Sequence, residues 1–176
     1  LFIGQIVQSI NKSNHLIILY MQREELTKTI KTLVKNQICF EVTPDLWKDL
    51  KGKSAYNSLV RQQVPEGLHG VYIWTNKLND EVLYVGMAGK VKTDGHWGNH
   101  CVQQRLLASR GKDPVTAKDI QTSDYIRQVM DNYKIDALEI QVLELKEGQL
   151  PSYAEAVMLN YYYQQSRCLP ILNKAF

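Results

Sequence analysis

Two short segments, Gly70-Val71-Tyr72 and Tyr84-Val85-Gly86, constrain this chain more than any other feature. Their tyrosines stand twelve residues apart, each two places from a glycine, within apolar, β-prone runs. Between them, Asn76-Lys77-Leu78-Asn79-Asp80 has the composition of a turn. The pattern predicts two antiparallel strands, at about 70–75 and 82–86, joined by a loop. A glycine inside a strand marks a place where another backbone or a substrate must come close.

The rest of the chain reads as alternating helices and strands. Leu1 to Ser9 and His15 to Met21 are β-prone around Asn11-Lys12-Ser13-Asn14, a hairpin signal. Leu26, Ile30 and Leu33 predict a helix over 24–35, and 38–42 reads as a strand. Thr43-Pro44-Asp45 is a helix start, with a capping hydroxyl, proline at the first position and an acid near the positive end, and that helix is expected to stop near Gly52. Pro65-Glu66-Gly67 marks a boundary between residues 1–67, an N-terminal α+β extension, and residues 68–176. After the hairpin come a loop containing Gly89, Gly95 and Gly98, helices at 102–110 and 123–133, a strand at 138–145, a helix at 152–166 and a tail ending Leu172-Asn173. The fold class is therefore α+β.

At 176 residues, with 44% hydrophobic and 22% charged side chains, the chain is ordinary for a globular protein. Its net charge of +3 is modest, but the distribution is uneven. Between Val85 and Lys118, Lys90, Lys92, Arg105, Arg110, Lys112 and Lys118 face only Asp94 and Asp113, leaving +4 directly after the second tyrosine segment. Such a stretch suits a polyanion. Cys39, Cys101 and Cys168 are dispersed and odd in number, which points to a reducing compartment, the cytoplasm or nucleus, rather than a disulfide framework. His96 and His100 lack a second ligand pair at zinc spacing. No run has the length of a transmembrane helix, and none reads as a signal peptide. The chain begins at Leu1 rather than Met, which leaves room for a longer native chain with a further domain.

Two residues beyond the hairpin stand out chemically. Arg105, in Val102-Gln103-Gln104-Arg105-Leu106-Leu107, offers a planar, permanently charged fork on a predicted helix, and a guanidinium suits two phosphate oxygens better than an ammonium does. Glu155 is the only charged side chain from Gly148 to Ser166, set beside an apolar stripe. A lone carboxylate against a core face must be paired, hydrogen-bonded or bound to metal. Ser152-Tyr153-Ala154-Glu155 also reads as a capping box, in which the glutamate would reach back to the cap's amide, so two roles stand open.

The paired Gly-Val-Tyr and Tyr-Val-Gly segments, followed by Arg105 and Glu155 at helical positions, resemble the GIY-YIG nuclease family. Val71 and Val85 stand where the family name has isoleucine. The resemblance covers residues 68–176 and implies a small three-stranded antiparallel sheet flanked by helices. It implies that Tyr72 and Tyr84 line an active site, the first as general base. An unperturbed phenol has a pKa near ~10, so that role needs a neighbouring cation or metal. By the same resemblance Arg105 holds the scissile phosphate, Glu155 binds Mg²⁺ (or Mn²⁺ in its place), Lys90 approaches the site, and Asn173 matches an asparagine near the C-terminal end. The family often carries histidine one turn after the arginine, where this chain has Ser109. Lys90, Lys92, Arg110, Lys112 and Asn173 are the expected nucleic-acid contacts. The implied activity is metal-dependent hydrolysis of DNA, with double-stranded DNA the expected substrate, in restriction or defence or in a mobile element. The alternatives are a repair nuclease of the same family and a binding module whose nuclease site has decayed. A palindromic target would call for a two-fold homodimer.

Overall fold

A computed structural model of the chain describes residues 22–48, 52–98, 100–112 and 116–174. The hairpin expected around Asn11–Asn14 lies outside them. The helices are α1 (Arg23–Lys28), α2 (Gly52–Gln63), α3 (Val102–Leu107), α4 (Thr122–Tyr133) and α5 (Pro151–Ser166). The strands are β1 (Val34–Val42), β2 (Gly70–Asn76), β3 (Glu81–Ala88), β4 (Ser109–Lys112), β5 (Asp119–Gln121) and β6 (Leu138–Leu145).

The tyrosine segments form the expected hairpin, β2 pairing antiparallel with β3. β6 pairs with the other side of β2, and β1 with the far side of β6, so the main sheet runs β1-β6-β2-β3, antiparallel throughout. The expected three strands are β6-β2-β3, and β1, from before the Pro65 boundary, adds a fourth. Strand alternation then sorts the core into two layers. Tyr72 and Trp74 of β2 join Ile140 and Val142 of β6 against α2, α3 and α4. Val71 and Ile73 join Leu143 and Leu145 against α1 and α5. With helices on both faces, Gly70 through Thr75 are all buried.

Three local expectations are corrected. The helix foreseen over 24–35 ends at Lys28; a 3₁₀ turn at Lys31–Leu33 follows, and the chain is in β1 from Val34. Pairing of β1 along almost the whole of β6 outweighs the helical spacing of Leu33. Thr43 makes no side-chain cap, and Pro44–Trp47 forms one 3₁₀ turn; the full helix is α2, whose Tyr56, Val60 and Val64 at its end enter the core. The helix foreseen over 102–110 stops at Leu107, and the chain enters the β4–β5 ribbon instead.

Two features of the hairpin place the site. Gly70 lies so close to β6 that a Cβ would sit 2.0 Å from the Leu143 carbonyl oxygen, which only glycine permits. Between Trp74 and Thr75 the register with β3 shifts, Trp74 facing Tyr84 and Thr75 facing Val82. The extra residue, Leu83, therefore turns into the same layer that Tyr84 packs against.

Candidate active site

The site begins at two cross-strand positions. Tyr72 faces Gly86 across the hairpin, and Tyr84 faces Trp74. The tyrosine rings lie 5.9 Å apart at 42°, and both lean over Gly86, where a Cβ would meet Tyr84 Cε1 at 2.6 Å and Tyr72 Cζ at 2.9 Å. The missing side chain of Gly86 is the space the two phenols occupy. Tyr72 is only 4% exposed. Burial raises its pKa well above the ordinary phenol value, as does the neighbouring Tyr84, whereas Arg110 and Arg105 pull it down.

Arg105 is held by the docking of α3. Cys101 caps the helix, with Gln104 accepting the Cys101 N–H at 3.1 Å. Gln103 donates to the Val64 carbonyl at 2.7 Å, the Val102 N–H donates to Leu68 at 2.8 Å, and the Tyr56 hydroxyl donates to Leu106 at 3.2 Å. With Val102 and Leu106 buried, Arg105 is left on the exposed face. Its charge acts on both Tyr72 and Glu155.

The end of α3 decides where Arg110 goes. The Ala108 carbonyl accepts from both the Thr122 N–H at 3.0 Å and the Thr122 hydroxyl at 2.6 Å, pinning the chain to the start of α4. Ser109 then pairs with Gln121, and Arg110 turns inward. Its guanidinium carbon sits 4.4 Å from the Trp74 ring, 4.4 Å from Tyr84 and 5.5 Å from Tyr125. Expected as a backbone grip on the surface, Arg110 is part of the site's wall.

Glu155 reaches the site from α5. That helix starts at Pro151 with Leu150 as its cap and no side-chain capping bond, so Ser152 already lies inside the helix and the capping box does not form. Glu155, half-buried, lines a cavity of about 480 Å³ together with Tyr84, Arg110, Tyr125, Asn173 and Lys174. Burial raises its carboxyl above the usual range, and Arg105 partly offsets this. Glu155 is the one acid in that lining, and no cluster of three potential metal ligands occurs among the described residues. A partly desolvated single carboxylate with open space beside it suits Mg²⁺, which keeps several waters and takes one or two carboxylates plus substrate oxygens. It does not suit a closed protein cage.

Asn173 lines the cavity, but its amide is engaged. Oδ1 accepts the Val85 N–H at 3.0 Å, and Nδ2 donates to the Val85 carbonyl at 2.8 Å. Its role here is to fix β3 at the residue between Tyr84 and Gly86. Lys90 and Lys92 belong to a small loop closed by a Val91–Trp97 bridge, where Lys92 N–H donates to His96 at 2.9 Å. Both are exposed, as is Lys112, and none lines the cavity.

Tyr84 and Glu155 thus line one cavity, which Tyr125 and Lys174 join without having been foreseen, while Tyr72 packs against Tyr84 and Arg105 acts on Tyr72 and Glu155 through its charge, neither of the two being part of the lining. Tyr125 carried no signal beyond an aromatic in a helix, and Lys174 only its nearness to Asn173. A general base candidate, a guanidinium, and a carboxylate free to bind a cation are the parts needed to hydrolyse an anionic ester. A family model described as the GIY-YIG catalytic domain matches residues 68–149, which include both tyrosine segments and Arg105 and end before α5. No curated protein and no solved structure matches the chain significantly.

Proposed function

We propose, from the match of residues 68–149 to the GIY-YIG catalytic domain, that the chain is a metal-dependent endonuclease hydrolysing phosphodiester bonds in double-stranded DNA, of the kind used in restriction, defence or mobile elements. The observation that carries the reading is the cavity wall itself. Glu155, which lies beyond the matched segment, lines the same cavity as Tyr84, beside Tyr72.

Tyr72, in its phenolate form, accepts a proton from the attacking water and becomes the neutral phenol. Its burial opposes the phenolate, and the charges of Arg105 and Arg110 favour it. Tyr84, packed against Tyr72, holds that phenol in place. Arg105, on the exposed face of α3, takes the phosphoryl oxygens and stabilises their growing charge. Glu155 would hold Mg²⁺ or Mn²⁺, which when bound neutralises charge on the phosphate and on the leaving oxygen. Lys90, Lys92 and Lys112 lie outside the cavity, where contacts to flanking phosphates belong.

The test is cleavage of supercoiled plasmid with Mg²⁺ or Mn²⁺ by the parent, Glu155→Gln and Arg105→Ala. The parent should nick or linearise the plasmid, and each variant should lose roughly 100-fold or more in rate. A parent inert with either metal that still binds DNA would replace this reading with that of a binding module.

A further inference from the structure

We propose that Arg110 is a second phosphate-binding arginine of this site, a catalytic residue that contacts the scissile phosphodiester alongside Arg105. The inference rests on the nuclease reading and assigns a role that Arg110's place in a basic stretch does not imply.

A guanidinium withdrawn from solvent ordinarily meets a carboxylate. Among the described residues no acid lies within ion-pair distance of Arg110, although Glu155 lines the same cavity. What surrounds the charge instead is the faces of Trp74, Tyr84 and Tyr125. Ring faces attract a cation but donate no lone pairs to its N–H groups. One terminal nitrogen, Nη2, is buried and has no hydrogen-bond partner among the described residues. The rings therefore orient the fork while, among the described residues, no acid pairs with its charge and Nη2 has no acceptor. An incoming phosphodiester oxygen supplies both the missing charge and the missing acceptor.

The placement is also specific. The pin between Ala108 and Thr122 and the pairing of Ser109 with Gln121 fix the backbone on either side of the turn into β4. An arginine needed only as an apolar filler between three rings would be replaceable by an unbranched chain of similar length.

Arg110→Met makes that replacement and Arg110→Lys keeps the charge without the fork. Both are compared with the parent in plasmid cleavage with Mg²⁺, in thermal melting, and in the salt dependence of binding to a short DNA duplex with Ca²⁺. The expected result is Arg110→Met that melts within a few degrees of the parent, cleaves about 100-fold more slowly or worse, and binds with a salt slope smaller by about 1. Arg110→Lys should keep the salt slope and lose about tenfold or more in cleavage, because an ammonium is a point donor. Near-parent cleavage by either variant, with the parent active, overturns the inference and leaves the nuclease reading intact. An inert parent overturns the nuclease reading; the salt slope of Arg110→Met then decides the phosphate contact, a reduced slope supporting it and an unchanged slope removing it. Should Arg110→Met fail to melt cooperatively, Arg110→Lys decides: cleavage at the parent rate overturns the role.

Discussion

At Gly86 a single hydrogen in place of a side chain makes room for two phenols. Gly86→Ala would put a methyl 2.8 Å from the Tyr84 hydroxyl oxygen and 2.9 Å from Tyr72 Cζ. The rings must then move, at a cost of about 1–3 kcal/mol for overpacking. The expected outcome is a variant that still folds, with a lowered melting temperature, and cleaves plasmid at least tenfold more slowly. Parent-like cleavage would mean that ring placement over Gly86 does not matter. Glu155 gives the opposite trade. Its raised pKa means that the folded protein holds this proton more tightly than the unfolded chain does. Its contribution to stability is therefore most favourable at acid pH and is lost as pH rises through the folded value. In chelator at pH 7, Glu155→Gln should melt at or above the parent, and the difference should vanish toward pH 4 while activity is absent throughout. A lower melting temperature at pH 7 would mean that the carboxylate makes a stabilising contact, as a capping residue does.

At the scale of elements, the junction between α3 and β4 matters most, because it separates the directions of Arg105 and Arg110. The Thr122 hydroxyl, almost fully buried, donates to the same carbonyl as its own N–H. Thr122→Val keeps the shape and the N–H bond but removes the hydroxyl bond. Its expected cost is about 0.5–1.5 kcal/mol, a melting shift of a few degrees for a chain this size. Plasmid cleavage should fall further than that loss of stability explains, since Arg110 is released. Unchanged cleavage would show that β4 is held without the hydroxyl. The C-terminal tail acts on the other side of the site. Leu172 N–H donates to Leu83 at 3.0 Å and Asn173 brackets Val85, so the free edge of β3 is covered where Tyr84 sits. An unpaired edge would invite pairing with another chain.

Over the whole molecule, the two-layer core ties the N-terminal portion to the site. Leu26 and Ile30 fill the layer under α5, and Phe40, Val42, Tyr56, Val60 and Val64 fill the layer that carries Tyr72 and Trp74. At roughly 1.5–3 kcal/mol for each large apolar side chain buried, their removal is as large as the usual net stability of about 5–15 kcal/mol. A fragment of residues 68–176 should accordingly show no cooperative melt and no plasmid cleavage, because β6 loses its partner β1 as well. A cooperative transition in that fragment would make the matched segment and α5 an independent domain. No helix among the described residues is long and apolar enough to cross a membrane.

Local patterns in the chain were enough for β2, β3, α4, β6 and α5, all of which carry alternation, helical spacing or a terminal proline within their own length. The same holds for the tyrosine–glycine pairing and for Glu155, whose isolation among uncharged neighbours is visible without coordinates. Tertiary structure decided the rest. Residues 38–42 of β1 read as a strand from the sequence, but its first half, with Lys35, Asn36 and Gln37 exposed, is extended because it pairs with a segment about a hundred residues away. The capping box was a correct reading of residue types, displaced when Pro151 took the first helical position. Arg110 looked like one more cation in a basic run. Its environment is made by rings from β2, β3 and α4 converging on a turn, and a contact between faces of rings so far apart in the chain has no signature in the order of residues.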